Sequence, residues 1–267
     1  NMINIEIYIF ALFLLIFLGI IFWIVSLIIN DVSIVDSLWS LMFIFCSVIS
    51  LLFIDTLQIK QLLVFLMVLL WGLRLSAYVT IRNWGKEEDQ RYQDIRSNNQ
   101  PFFWLKSLYI VFGLQAFLAW VISMPLFIIM SNTDPINYIG ILGILLWAVG
   151  FFFESIGDYQ LYLFKLNPIN KGKLLKYGLW KYTRHPNYFG DACIWWGFYI
   201  IALSNGGWWS IYSPILMNFL LLKFSGAALL EKHMNKKHLG YDSYIASTNV
   251  FFPNLRMIIK DIKNNKK

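Results

Sequence analysis

Residues 5–29 read IEIYIFALFLLIFLGIIFWIVSLII, twenty-five positions whose only charged side chain is Glu6. A helix of this length exceeds the hydrocarbon core of a bilayer, and no polar stripe marks a face for water. No basic segment precedes the run and no small-residue cleavage site ends it. It is also too long for the core of a signal peptide, so it reads as a retained first helix. Similar runs recur at about 33–54, 61–82, 103–130, 136–164, 188–204 and 208–230. They are continuous rather than alternating, which excludes a β-barrel. The expected fold is an all-α membrane protein with seven transmembrane helices, forming one polytopic domain over residues 1–267. Pro125 inside the fourth run predicts a kink or a helix end there.

Composition agrees. The chain is 58% hydrophobic and 14% charged, where a soluble domain carries about 25% charge. Cys46 and Cys193 both lie within apolar runs and read as small buried hydrophobes. No His/Cys cluster has zinc spacing, so no metal is expected.

The formal charge of +7 is unevenly placed. Arg82, Lys86, Arg91, Arg96 and Lys106 fall in or beside one loop. Lys165, Lys171, Lys173, Lys176, Lys181 and Arg184 fall in a second that has no acid. Eight Lys/Arg follow residue 231. The opposite side has Lys60 with Glu6, Asp31, Asp55 and Asp134. The positive-inside rule then puts the N-terminus outside and the C-terminus in the cytoplasm, with 231–267 a cytoplasmic helix and basic tail. The excess gives orientation and attraction to anionic lipid, not a nucleic-acid partner. Short loops favour a bacterial inner membrane, or the endoplasmic reticulum if the source is eukaryotic.

Ionisable groups within spans are costly and mark function by default. Asp36, Arg74, Glu154, Asp158, Asp191 and Lys223 qualify. Asp36 and Arg74 could form a structural ion pair, and Lys223 could snorkel. Glu154 and Asp158 share one helical face, one turn apart. The stretch 178–191, GLWKYTRHPNYFGD, carries the densest chemistry. Pro186 suits the first turn of a helix. Arg184 and His185 would then sit at its N-terminus, where dipole and free N–H groups favour an anion. Asn187, Asp191 and Trp195 form one stripe of amide, carboxylate and indole, fit for ribose hydroxyls or a carboxamide and a flat ring. The competing reading is a polar seam between helices. His233 and Tyr244 could close over a ligand held at Arg184.

The stretches WGLRLSAYVTIRNWGKEEDQRYQDIR (71–96), GLWKYTRHPNYFGD (178–191) and GYDSYIASTNVFFP (240–253) resemble the DUF1295 family. That family is related to the steroid 5-alpha-reductases. RHPNY is also similar to the signature of isoprenylcysteine carboxyl methyltransferases, which bind S-adenosylmethionine. The reductase resemblance implies an NADPH-dependent membrane reductase acting on the C=C of an enone in an apolar substrate, such as a 3-oxo-Δ4 steroid or related lipid entering from the bilayer. It implies cofactor contacts at Arg91, Asp158, Lys165, Lys173, Asn187, Tyr188, Asp191, Trp195 and His233, with Tyr182, Arg184, His185 and Tyr244 added by position. The family's substrate carbonyl is held by an acid and a tyrosine. Asp36 matches the acid, one methylene shorter. Trp71 aligns with the tyrosine and Tyr78 lies further along, so Asp36, Arg74 and Tyr78 form the expected catalytic set. The rivals are an S-adenosylmethionine-dependent methyltransferase and a non-enzymatic lipid-binding or assembly protein.

Overall fold

The computed structural model describes residues 3–224 and 241–264. Those residues are helical, with no strand among them. Their long helices are α1 (Ile5–Ile29), α2 (Val35–Leu52), α3 (Ile59–Asn83), α8 (Tyr138–Leu166) and α9 (Pro186–Leu203). Between α3 and α8 come α4 (Gln90–Asn98) and a broken helix: α5 (Phe103–Ser107), a π-turn (Leu108–Gly113), α6 (Leu114–Ile122) and α7 (Met124–Ser131). After α9 follow α10 (Tyr212–Phe219), α11 (Tyr241–Ser247) and α12 (Leu255–Asn264). Among the described residues, five helices, Ile5–Ile29, Val32–Leu52, Ile59–Asn83, Phe103–Ile122 and Tyr138–Leu166, are long and apolar enough to cross a membrane. Their lengths and composition fit an integral membrane protein.

Local chemistry sets the ends. Asn4 caps α1 by accepting from the Glu6 and Ile7 amides, and Asn30 ends it at φ 55°. Only Tyr8, Ala11, Leu15, Gly19 and Ser26 of α1 are buried. Many of its Ile and Phe, among them Phe10, Phe13, Phe17, Ile24 and Ile28, are exposed, as on a helix surrounded by lipid. The break expected at Pro125 is present: α6 stops at Ile122 and Pro125 enters the first turn of α7.

Backbone contacts divide the chain into two compact units: residues 1–140 with 201–213, and 141–200 with 214–267. In the first unit, α2 and α3 pack through small and hydroxyl residues. Ser40 Oγ donates to the Gly72 carbonyl at 2.8 Å and Ser76 Oγ to the Ser37 carbonyl at 2.8 Å. A methyl on Gly72 would meet Ile44 at 2.8 Å. Close backbones bridged by hydroxyls are what helix pairs in lipid require. At one end of this unit Lys60, read from sequence as a lone outer cation, is buried. Its Nζ donates to Asn132 Oδ1 at 2.7 Å and Asn205 Oδ1 at 2.5 Å.

Candidate functional site

Glycines at 143, 150 and 157 recur every seven residues along α8, and those at 190 and 197 do so along α9. Seven residues is close to two helical turns, so each set lines one face. A methyl on Gly150 would meet the Gly190 carbonyl at 2.5 Å and the Ile194 nitrogen at 2.7 Å; one on Gly197 would meet the Gly143 carbonyl at 2.7 Å. Gly157 faces Pro186 and the Asn187 amide. The helices therefore run antiparallel at backbone contact, and the polar residues beside the glycines are forced together.

Glu154 and Asp158 of α8 are each 3% exposed, and Arg184, His185 and Asp191 are buried as well. Asn187 Nδ2 donates to Asp158 Oδ1 at 3.1 Å. Its own Oδ1 is buried and accepts from no group among the described residues. Trp195 is fully buried one turn beyond Asp191, edge-on to Phe198. The His185 ring stacks on Tyr188 at 5.2 Å and 6°. Asp158, Asn187, Asp191 and Trp195 thus lie along one helix pair, with Arg184 and His185 at the start of α9.

The 178–185 segment is pinned on two sides. Gly178, at φ 62° in the left-handed region that favours glycine, lies against the Gln160 amide. Gln160 Oε1 accepts from the Leu179 amide at 2.9 Å, and Trp180 Nε1 donates to the Gly157 carbonyl at 3.1 Å. From the other side, the Arg184 amide donates to the Asn249 carbonyl at 2.9 Å and the Asn254 amide to the Tyr182 carbonyl at 2.9 Å. Thr183 Oγ1 donates to the Phe251 carbonyl at 2.9 Å. Two of the three blocks singled out in the sequence are therefore one hydrogen-bonded substructure. Tyr244 donates to the Trp180 carbonyl at 2.5 Å, beneath the Lys176 ammonium at 5.5 Å from its ring. Tyr182 points elsewhere: its hydroxyl donates to Asp261 of α12 at 2.8 Å, and Lys181 pairs with the same oxygen at 2.6 Å. That pairing holds the Asp261 carboxyl below its usual range and raises the Lys181 ammonium. Lys165 and Lys173 are exposed. His233 lies outside the described residues.

The expected catalytic residues and Arg91 belong to the first unit. Asp36, at the start of α2, accepts from Arg91 Nη2 at 2.6 Å and from the Tyr92 hydroxyl at 2.6 Å. The tyrosine that meets the acid is thus Tyr92, buried and held in turn by Gln115 at 3.1 Å. Tyr78 instead carries the Arg82 guanidinium 5.9 Å above its ring, and Arg74 is half-buried in α3. Burial works against the charge on Arg91, but Asp36 and Asp89 outweigh it and keep the guanidinium firmly protonated. Burial, then Asp36, raises the Tyr92 phenol well above its usual value. Glu88 fixes the same loop, accepting from Arg96 at 2.8 and 2.9 Å and from the Val32 amide at 2.9 Å. Tyr92, Glu88, Asp261 and the glycine heptads escaped the sequence reading, although the glycine spacing was there to be counted.

Among known proteins, a probable O-methyltransferase, ustE, of Ustilaginoidea virens is 35% identical over 97 residues, 36% of this chain. The match spans about a third of that relative, 32% of its length. No solved structure matches. The family described as "Protein of unknown function (DUF1295)" matches residues 22–248. That match covers most of the chain, including the Asp36–Arg91 loop and the glycine-packed motif, and the protein belongs to the DUF1295 family.

Proposed function

We propose that the protein is an NADPH-dependent reductase of an apolar enone, built as seven spans with the lysine-rich loops in the cytoplasm. The observation that carries this reading is the polar set on α8 and α9. It sets the half-buried Asn187, whose buried carbonyl oxygen has no donor among the described residues, beside buried carboxylates and an indole. That oxygen fits a carboxamide N–H, and the carboxylates fit ribose hydroxyls. The exposed Lys165, Lys171, Lys173 and Lys176 suit the phosphates of a dinucleotide. Bound NADPH supplies a hydride to the β-carbon of the enone.

The chain's own residues do the rest. Asn187 and Asp191 orient the carboxamide end, Trp195 excludes water, and Arg184 with the lysines binds negative charge. Asp36 with Tyr92 is the pair we assign to the substrate carbonyl: the Tyr92 hydroxyl, which donates to Asp36, would turn to the developing enolate oxygen, and protonation of the α-carbon then gives the saturated ketone. In the Asp36→Asn variant, NADPH oxidation with a 3-oxo-Δ4 steroid should fall by about 10²–10⁴-fold. Full activity would remove Asp36 from the chemistry.

A second reading, an S-adenosylmethionine-dependent methyltransferase, is favoured by the name of the Ustilaginoidea virens relative. S-adenosylmethionine has no phosphate and leaves the lysine-rich loop without a counter-charge. Isothermal titration should show NADPH binding that weakens with salt. Binding of S-adenosylmethionine alone would reverse the assignment, and binding of neither would favour a lipid-binding or assembly role.

A further inference from the structure

Helix α12 has its own chemistry, which the reductase reading does not use. Its sequence, LRMIIKDIKN, turns Leu255 and Ile259 to one exposed arc, 68% and 53% accessible. Arg256, Lys260 and Lys263 are exposed on the adjoining arc. Phe252, just before the helix, is 69% exposed. Met257, Ile258 and Asp261 are only partly accessible, and Asp261 holds Lys181 and Tyr182. Below the helix a cleft of about 490 Å³ opens between it and α8. Phe152 and Ile156 form its apolar wall; Gln160, Lys181 and Asp261 form its polar one.

Large aliphatics beside clustered cations are poorly suited to water. They suit the boundary between acyl chains and anionic headgroups. The cleft grades from apolar to polar along α8, as that boundary does. Three cations on one arc, with the only acid of the helix turned to Lys181, give the charge match to an anionic bilayer surface. We propose that α12 is an interfacial anchor, with Leu255 and Ile259 at the acyl boundary and Arg256, Lys260 and Lys263 on anionic phospholipid headgroups. Through Asp261 the anchored helix then steadies the segment that carries Arg184 and His185.

The test uses the full chain in nanodiscs of phosphatidylcholine, with or without phosphatidylglycerol, and needs no NADPH. Each cation near an anionic surface contributes about 1 kcal/mol, so three predict hydrogen-exchange protection of 255–264 rising by up to about a hundredfold. High salt should reverse the gain. The triple variant R256Q/K260Q/K263Q should abolish it without changing exchange in α8. A bimane on Ile259→Cys should be quenched by brominated lipid rather than by iodide; Cys46 and Cys193 are buried. Equal exchange in both nanodiscs with full iodide quenching would overturn the proposal. So would protection that follows protein concentration, which would assign the face to a second copy.

Discussion

Replacing Gly190 with alanine should lower the melting temperature by about 2–12 °C, and Gly190→Leu should leave no folded protein. The added methyl would meet the Gly150 carbonyl at 2.5 Å, the Glu154 Cβ at 2.7 Å and, closer still, the Glu154 amide nitrogen. Two of those atoms are backbone and cannot rotate away, so α9 must retreat from α8. Overpacking of this kind costs about 1–3 kcal/mol, and each kcal/mol moves the midpoint of a chain of this size by about 2–4 °C. The retreat also separates Asp158 from Asn187, whose 3.1 Å hydrogen bond crosses the same interface. Ligand affinity should therefore fall more than stability does. Gly19→Ala is the control: its methyl meets Phe112 no closer than 3.5 Å, ordinary contact. There the gain in helix propensity, up to about 1 kcal/mol, should raise stability. Thermal unfolding in detergent with titrations of both ligands reads out all three variants. A Gly190→Ala protein as stable as wild type would show that the two helices do not need that approach.

The long apolar runs were legible because solvation by lipid acts on every residue of a helix at once. The edges of α1, α3 and α8 fall within a few residues of the apolar boundaries, and Pro125 falls at a break. The motif around Pro186 was legible because helix-start chemistry is local: Pro186 begins α9, and Asn187, Asp191 and Trp195 share a face through spacing alone. Partners were not legible, since pairing across helices depends on register. Asp36 could have met Arg74 or Tyr78 from sequence alone, yet it meets Arg91 and Tyr92, fifty-five and fifty-six residues away. The loop reaches Asp36 because Glu88 ties it to Val32 and Arg96. The Tyr182 contact was not legible either. Its neighbours Arg184 and His185 are buried, whereas its own hydroxyl donates to Asp261. The glycine spacing at 143, 150 and 157 is legible in the sequence, but the backbone it packs against is not, since a glycine carries no side chain to name its partner.

Arg91→Met should destabilise the protein by about 1.5–3 kcal/mol, the range for losing hydrogen bonds to a charged group. Breaking a fully buried pair costs about 3–5 kcal/mol, but the Arg91 and Asp36 side chains are 31% and 16% exposed, so water recovers part of it. The loss has two parts. Asp36 keeps Tyr92 but loses its counter-charge, and Asp89 loses its 2.9 Å bond to Arg91 Nε. Arg91→Lys keeps the charge but not the fork that reaches both carboxylates, so it should fall between Met and wild type. Asp36→Asn should also destabilise, while the double variant Asp36→Asn/Arg91→Met should lose less than the sum. The shortfall should lie within the 0.5–3 kcal/mol found for residues in one network. Strict additivity across the four proteins would mean that the 2.6 Å contact contributes nothing. The same cycle separates structure from chemistry at Asp36. If Asp36 acts on the substrate carbonyl, Arg91→Met should retain part of the activity that Asp36→Asn removes, because the carboxyl remains beside Tyr92. If its role is only to hold the loop, activity in all four proteins should follow their folded fraction, and the carbonyl-binding group must be sought elsewhere in the bundle.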